Sequence, residues 1–167
     1  DWYGGIVGGT VNEWDWNYPS KTVINSTPNG LQCWMTAPFS NYANNSNSAM
    51  YSPCFDMSQV ANPQISFIMR FVTEATNDAL VLESSTNGGT TWARVDSLNT
   101  AGNYNNVLAT GAFAGPKWSG NNTTWRQYSF VIPTLGLQSS VQFRFHFISN
   151  ATVNNEGFAI DSIVIID

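Results

Sequence analysis

The sequence predicts an antiparallel all-β sandwich, and three observations carry that prediction. The first is the stretch Asp78-Ala79-Leu80-Val81-Leu82-Glu83-Ser84-Ser85-Thr86-Asn87-Gly88-Gly89-Thr90-Thr91-Trp92, which spells an alternating strand, a glycine turn and a returning strand. Leu80 and Leu82 share one pleat face, Asn87-Gly88-Gly89 can supply the positive φ angles of a tight hairpin, and Trp92 is expected to fold back over that apolar face. The second is a period of two that recurs from end to end, with no capped window of 3.6-residue periodicity. The third is composition: 10% of residues are charged and 14% aromatic, and Asn, Ser, Thr and Gly dominate the polar remainder. That balance suits short strands joined by hydrogen-bonding loops.

Taken in order, the strand patterns fall at 4–8, 21–26, 31–37, 48–55, 64–73, 78–86, 91–97, 125–132, 140–149 and 157–166. Leu31-Gln32-Cys33-Trp34-Met35 and Tyr51-Ser52-Pro53-Cys54-Phe55 flank a polar loop. If those two strands pair antiparallel about a centre between Ala43 and Asn44, Cys33 and Cys54 lie opposite each other. A cross-strand disulfide is then feasible, and free cysteine as a small core residue is the alternative. Ile65, Phe67, Met69 and Phe71 share one face of their strand, as do Val141, Phe143, Phe145 and Phe147 of theirs, so these two are expected to be central. Asn99 to Thr124 is rich in glycine and asparagine and holds Phe113, Pro116 and Trp118. It reads either as a functional loop or as one containing a further short edge strand. Such strand spacing suggests two packed sheets.

A chain of 167 residues is expected to form one domain over 1–167, burying roughly 70% of the surface its unfolded form exposes. It needs no disulfide framework at that size. Six Lys+Arg against 11 Asp+Glu give a formal net charge of −5, and the six cations are scattered. That balance argues against nucleic acid and disfavours anionic membrane surfaces as partners. No apolar run reaches the length of a spanning helix, and the amino terminus lacks a charged-then-apolar signal, so a mature, excised fragment is expected.

Seven segments together resemble the jelly rolls of MAM-like and reelin-repeat-like modules. These are Gly30-Leu31-Gln32-Cys33-Trp34-Met35-Thr36, Ala49-Met50-Tyr51-Ser52-Pro53-Cys54-Phe55-Asp56, Pro63-Gln64-Ile65-Ser66-Phe67, Asp78 to Trp92, Trp125-Arg126-Gln127-Tyr128, Val141-Gln142-Phe143-Arg144-Phe145 and Glu156-Gly157-Phe158-Ala159-Ile160-Asp161-Ser162-Ile163. The resemblance is greatest to versions on secreted and cell-surface proteins of gliding and Bacteroidetes-type bacteria. It implies a jelly-roll β-sandwich, usually a non-catalytic module in adhesins or beside protease and glycanase domains. It also implies a structural calcium held by Asp161 with Glu13 or Asp15, and with Asp78 as a further ligand, since hard cations take oxygen donors. Asn12-Glu13-Trp14-Asp15-Trp16 lacks the regular loop of an EF-hand, and Asp161 can instead cap a strand by accepting loop N–H groups.

Two further constellations bear on binding. Seven Trp exceed what a core of this size needs, and sugar rings stack their C–H faces on exposed aromatics. Trp14, Trp16 and Trp118 are the candidates for exposure, with packing under loops as the alternative, whereas Trp34, Trp92 and Trp125 resemble the family's core positions. Arg70, Arg144 and His146 alternate with core residues on the two phenylalanine-rich strands, with Glu83 joining them if strand 78–86 lies alongside. That polar sheet face can contact a glycan or form a partly buried ion pair.

Catalysis has little support, because the one histidine stands without Gly-x-Ser-x-Gly, His-Glu-x-x-His or a phosphate loop. A Cys33 and His146 dyad lacks an orienting partner, and Glu74, Glu83 and Glu156 lack the spacing of glycanase carboxylates. The sequons at Asn25, Asn44, Asn121, Asn122 and Asn150 matter only in a eukaryotic secretory pathway. The expected function is a secreted or surface-displayed carbohydrate-binding module within a larger protein. The alternative is a protein-interaction, adhesion or spacer domain with no small ligand.

Overall fold

The computed structural model describes residues 1–95 and 103–166. Ten strands run through them: β1 (Tyr3–Gly8), β2 (Trp14–Asn17), β3 (Cys33–Thr36), β4 (Asn47–Phe55), β5 (Gln64–Val72), β6 (Ala79–Ser85), β7 (Ala93–Arg94), β8 (Asn121–Val131), β9 (Val141–Ile148) and β10 (Gly157–Ile166). They form two antiparallel five-stranded sheets, one ordered β1-β4-β9-β6-β7 and the other β2-β3-β10-β5-β8. We call these the A sheet and the B sheet. The result is the expected all-β jelly-roll sandwich, and no described helix is long and apolar enough to cross a membrane.

The period of two explains the core. Met50, Leu82, Phe143, Phe145 and Phe147 of the A sheet meet Phe67, Met69, Phe71, Tyr128, Phe130 and Phe158 of the B sheet in one buried cluster. Phe67 and Phe145 interlock edge to face across the two sheets at 4.8 Å, and Phe147 meets Phe158 at 5.7 Å. Each such fully buried side chain contributes about 1.5–3 kcal/mol by leaving water. β9 is the middle strand of its sheet as expected. β5 is interior, but the middle of the B sheet belongs to β10.

Residues 21–26 are not a strand. Glu156 accepts the N–H groups of Val23 and Ile24 at 2.7–3.0 Å, so those donors go to a carboxylate instead of a ladder. Ile24 is then buried against Cys33, Met35 and Ala159 on the outer side of the B sheet. Asn25 and Ser26 reach Arg70, and Asn29 reaches Asp161 and Ser162. The whole segment thus lies across that sheet as a cover.

The strand that sequence reading missed is β2, where Trp14-Asp15-Trp16-Asn17 pairs with β3. Of the expected strand 91–97 only Ala93–Arg94 forms, and its residues 96 and 97 lie outside the described residues. The loop expected from 99 begins outside them too. From 103 onward it makes two isolated bridges, Leu80 with Trp118 and Asn106 with Lys117, before entering β8 at Asn121.

The disulfide does not form. Cys33 lies on β3 of the B sheet and Cys54 on β4 of the A sheet, so the strands thought to pair belong to different sheets, and both cysteines are free. Cys54 contacts the Ser140 hydroxyl at 3.0 Å. Burial, reinforced by Asp161, pushes the Cys33 thiol up to about 12.

Candidate functional site

Strand alternation sends every second A-sheet side chain away from the core, and the register then aligns five of them. Tyr3 lies opposite Tyr51, Tyr51 opposite Arg144, Arg144 opposite Glu83, and Glu83 opposite Arg94. A single row therefore crosses all five strands on the outer face, two rings followed by cation, anion and cation.

Charge and hydrogen bonding fix the inner end of this row. The Glu83 carboxylate accepts from Arg144 Nε at 2.5 Å and stands 3.1 Å from His146 Nδ1. An ionised carboxylate only accepts, so Nδ1 carries the proton in that contact. His146 Nε2 lies 2.7 Å from Asn47 Oδ1. Burial alone would raise the Glu83 carboxyl, but the hydrogen bonds from His146 and Arg144 outweigh it and hold the group below its ordinary value.

Rings frame the rest. The Arg144 guanidinium sits 4.4 Å from the centre of the Trp92 ring, a cation–π contact. Trp92 meets Tyr51 edge to face at 5.7 Å, and Tyr51 stacks on Tyr3 at 5.2 Å with 18° between planes. Gly5, on the neighbouring strand β1, leaves the Tyr51 ring room that a Cβ would narrow to 3.1 Å. Gly88 and Gly89 adopt positive φ at the hairpin tip, and the Gly89 carbonyl accepts from the Trp92 indole N–H at 3.0 Å. Tyr3, Tyr51, Gly89, Trp92, Gln142 and Arg144 line a cleft of about 450 Å³ open to solvent. Tyr3 is half exposed. At the other end, Phe113 packs edge-on to His146 at 5.0 Å, and the Ala114 carbonyl accepts from Arg94 at 2.8 Å.

The structure thus gathers Glu83, Arg144 and His146 as expected and separates the remaining candidates. Arg70 belongs to the B sheet, where it lies 5.6 Å from the Trp125 ring and donates to Thr123 O at 2.7 Å. Trp14 and Trp118 are buried in the core, the alternative to their exposure, so neither can serve as a binding surface. Trp14 points inward because β2 is a strand, and Trp118 because its backbone bridges Leu80. Trp16 is 44% exposed but sits beside Trp34 at the B-sheet edge, away from the cleft. Trp92 was expected over Leu80 and Leu82, yet it packs on the opposite, outer face.

The acids expected to bind calcium do not converge. Glu13 accepts the Ala43 N–H at 2.9 Å, and Asp15 accepts from the Asn17 side chain at 3.1 Å on the surface. Asp78 is fully buried, accepting from the Tyr42 hydroxyl at 2.6 Å and from Asn150 N–H at 2.8 Å. Burial pushes its carboxyl up, with Glu74 adding to the rise. Asp161 accepts the Asn29 and Ser162 N–H groups from the middle of β10, where the register shifts, so it satisfies loop and bulge donors and caps no strand. No group of three or more His, Cys, Asp or Glu side chains able to hold a metal assembles among the described residues. Cys33 and His146 lie on the outer sides of different sheets, which rules out their dyad.

Tyr3, Tyr51 and Gln142 escaped sequence reading. The alternation of β4 and β9 already places Tyr51 and Gln142 opposite to the core positions. Only the register across β1 shows that Tyr3 joins them.

Fold and site together define a jelly-roll sandwich whose B sheet carries segment 21–29 over β3, β10 and Arg70 and whose A sheet opens a cleft at its β1–β4 end. The chain belongs to the Reelin subrepeat B family, whose model matches residues 39–166. No curated protein sequence matches it. Among solved structures it is similar to the K1 cleaved adhesin domain of Lys-gingipain from Porphyromonas gingivalis W83, at 10% identity and TM-score 0.56, covering 99% of this chain and 89% of that one. The K3 cleaved adhesin domain of the same protein shares 17% identity at TM-score 0.53, over 99% and 90% of the two chains. The carbohydrate-binding module TmCBM61, solved with β-1,4-galactotriose, shares 8% identity at TM-score 0.55, over 99% and 87%.

Proposed function

We propose that this chain is a non-catalytic, extracellular carbohydrate-binding module that attaches a larger secreted or surface protein to a polysaccharide, and that the outer face of the A sheet is where it binds. One observation carries the reading: Tyr3, Tyr51 and Trp92 expose ring surface beside Arg144 and Gln142 in a single open cleft. Sugars present apolar C–H faces and equatorial hydroxyls side by side, and this site offers rings and hydrogen-bonding groups in the same order. The triad of Glu83, Arg144 and His146 holds the floor rigid, so little ordering entropy remains to be lost on binding.

Affinity electrophoresis and calorimetry against soluble polysaccharides, β-1,4-galactan among them, test the assignment. Retention on at least one is expected, and Tyr51→Ala or Trp92→Ala should weaken it about tenfold, or 1.4 kcal/mol. Absence of retention on every polysaccharide would refute it. The protein-contact reading would then stand, favoured by Phe39, which is 82% exposed at the tip of the loop after β3.

A further inference from the structure

A buried ammonium group must find oxygen acceptors, because an unpaired charge away from water costs several kcal/mol. Lys117 is fully buried, and its Nζ donates to the backbone carbonyls of Leu108 at 3.3 Å, Phe113 at 2.7 Å, and Thr110. No carboxylate pairs with it among the described residues. Three carbonyls from one short loop converging on a single cation is the arrangement by which proteins hold hard metal ions. Lys21 repeats the device on the B-sheet side, donating to Thr36 O at 2.7 Å and Glu156 O at 2.6 Å where the cover segment meets β3 and the start of β10.

The caged loop is otherwise tightly placed. Asn106 and Lys117 exchange backbone hydrogen bonds at 2.8 and 3.1 Å, and Ala112 N–H donates to Asn77 O at 3.0 Å. Gly111 has φ +83, and a Cβ there would lie 1.8 Å from Thr76 O. The same loop supplies the Phe113 contact to His146 and the Ala114 carbonyl to Arg94.

We infer that Lys117 is a tethered structural cation, which pins loop 107–116 as the wall at the inner end of the outer A-sheet face and does there what a bound divalent ion would otherwise do. Calcium is therefore not required to shape this wall. A chain without affinity for any sugar would show the same behaviour.

Amide hydrogen exchange of the whole chain tests this in wild type and in Lys117→Met, which keeps similar bulk and removes the charge and donors. Exchange in wild-type 107–116 should be unchanged by EDTA or by added calcium chloride. Lys117→Met should speed it at least tenfold while amides of β4, β6 and β9 stay protected. Chelator-accelerated exchange in wild type, with calcium bound stoichiometrically, would overturn the inference, as would unchanged loop exchange in Lys117→Met. Should that variant fail to fold, nitrogen-15 NMR of the wild-type lysine ammonium groups decides. A slowly exchanging Lys117 ammonium supports the assignment, and rapid exchange with solvent overturns it.

Discussion

Replacing Glu83 by Gln tests whether the charged row on the outer A sheet is a working network. The substitution keeps the shape and one carbonyl acceptor but removes the anion between Arg144 and His146. Arg144 and Glu83 keep only 11% and 15% side-chain exposure, so water can do little to compensate. Hydrogen bonds to charged groups are worth about 1.5–3 kcal/mol each, and the remaining amide oxygen can serve one of the two donors, so a loss of about 2–3 kcal/mol is expected. For a domain of this length that is a fall in Tm of about 4–12 °C.

The pH dependence carries the stronger test. The Glu83 carboxyl is held below its ordinary value of 4.5 in the folded chain, so the unfolded chain binds the proton first as pH falls. The stability from ionised Glu83 is then fully present above the unfolded pKa and is lost as pH drops through the folded one. Calorimetric melts should show the wild-type advantage over Glu83→Gln at pH 7 and its shrinkage below about pH 4. Equal melting at pH 7, or a gap that persists undiminished in acid, would show that the pair contributes nothing through its charge.

Two further outcomes can be checked simply. Under native conditions a maleimide should label Cys54 and leave Cys33 unmodified, read by mass spectrometry, because Cys33 is buried and its thiol is pushed up to about 12; a single bridged species without label would contradict the strand placement. Gly111→Ala should lower Tm, since its Cβ would overlap Thr76 O at a positive φ, and melting like wild type would show that the 76–77 and 110–112 loops are not interlocked.

What the sequence revealed follows from where physical periodicity is strong. The phenylalanine rows of β5 and β9 declare their inner face without help, and by exclusion they declare Arg144 and His146 on the outer one. The Asn87-Gly88-Gly89 turn was equally clear, because backbone with positive φ selects glycine. Residues 21–26 misled because Ile24 supplies apolar character, while the fate of the Val23 and Ile24 N–H groups depends on Glu156, more than a hundred positions away. The strand at Trp14–Asn17 was missed for the converse reason. Alternation of Trp14 and Trp16 with acids pointed to exposure, yet four residues suffice for an edge strand once β3 is there to pair with. Lys117 gave no signal, since carbonyls that converge on an ammonium belong to the backbone and are indifferent to residue type.

The cover that residues 21–29 lay across the B sheet makes the molecule asymmetric. With Ile24 seated on Cys33, Met35 and Ala159, a partner approaching that half of the B sheet meets loop backbone and polar side chains instead of strand surface.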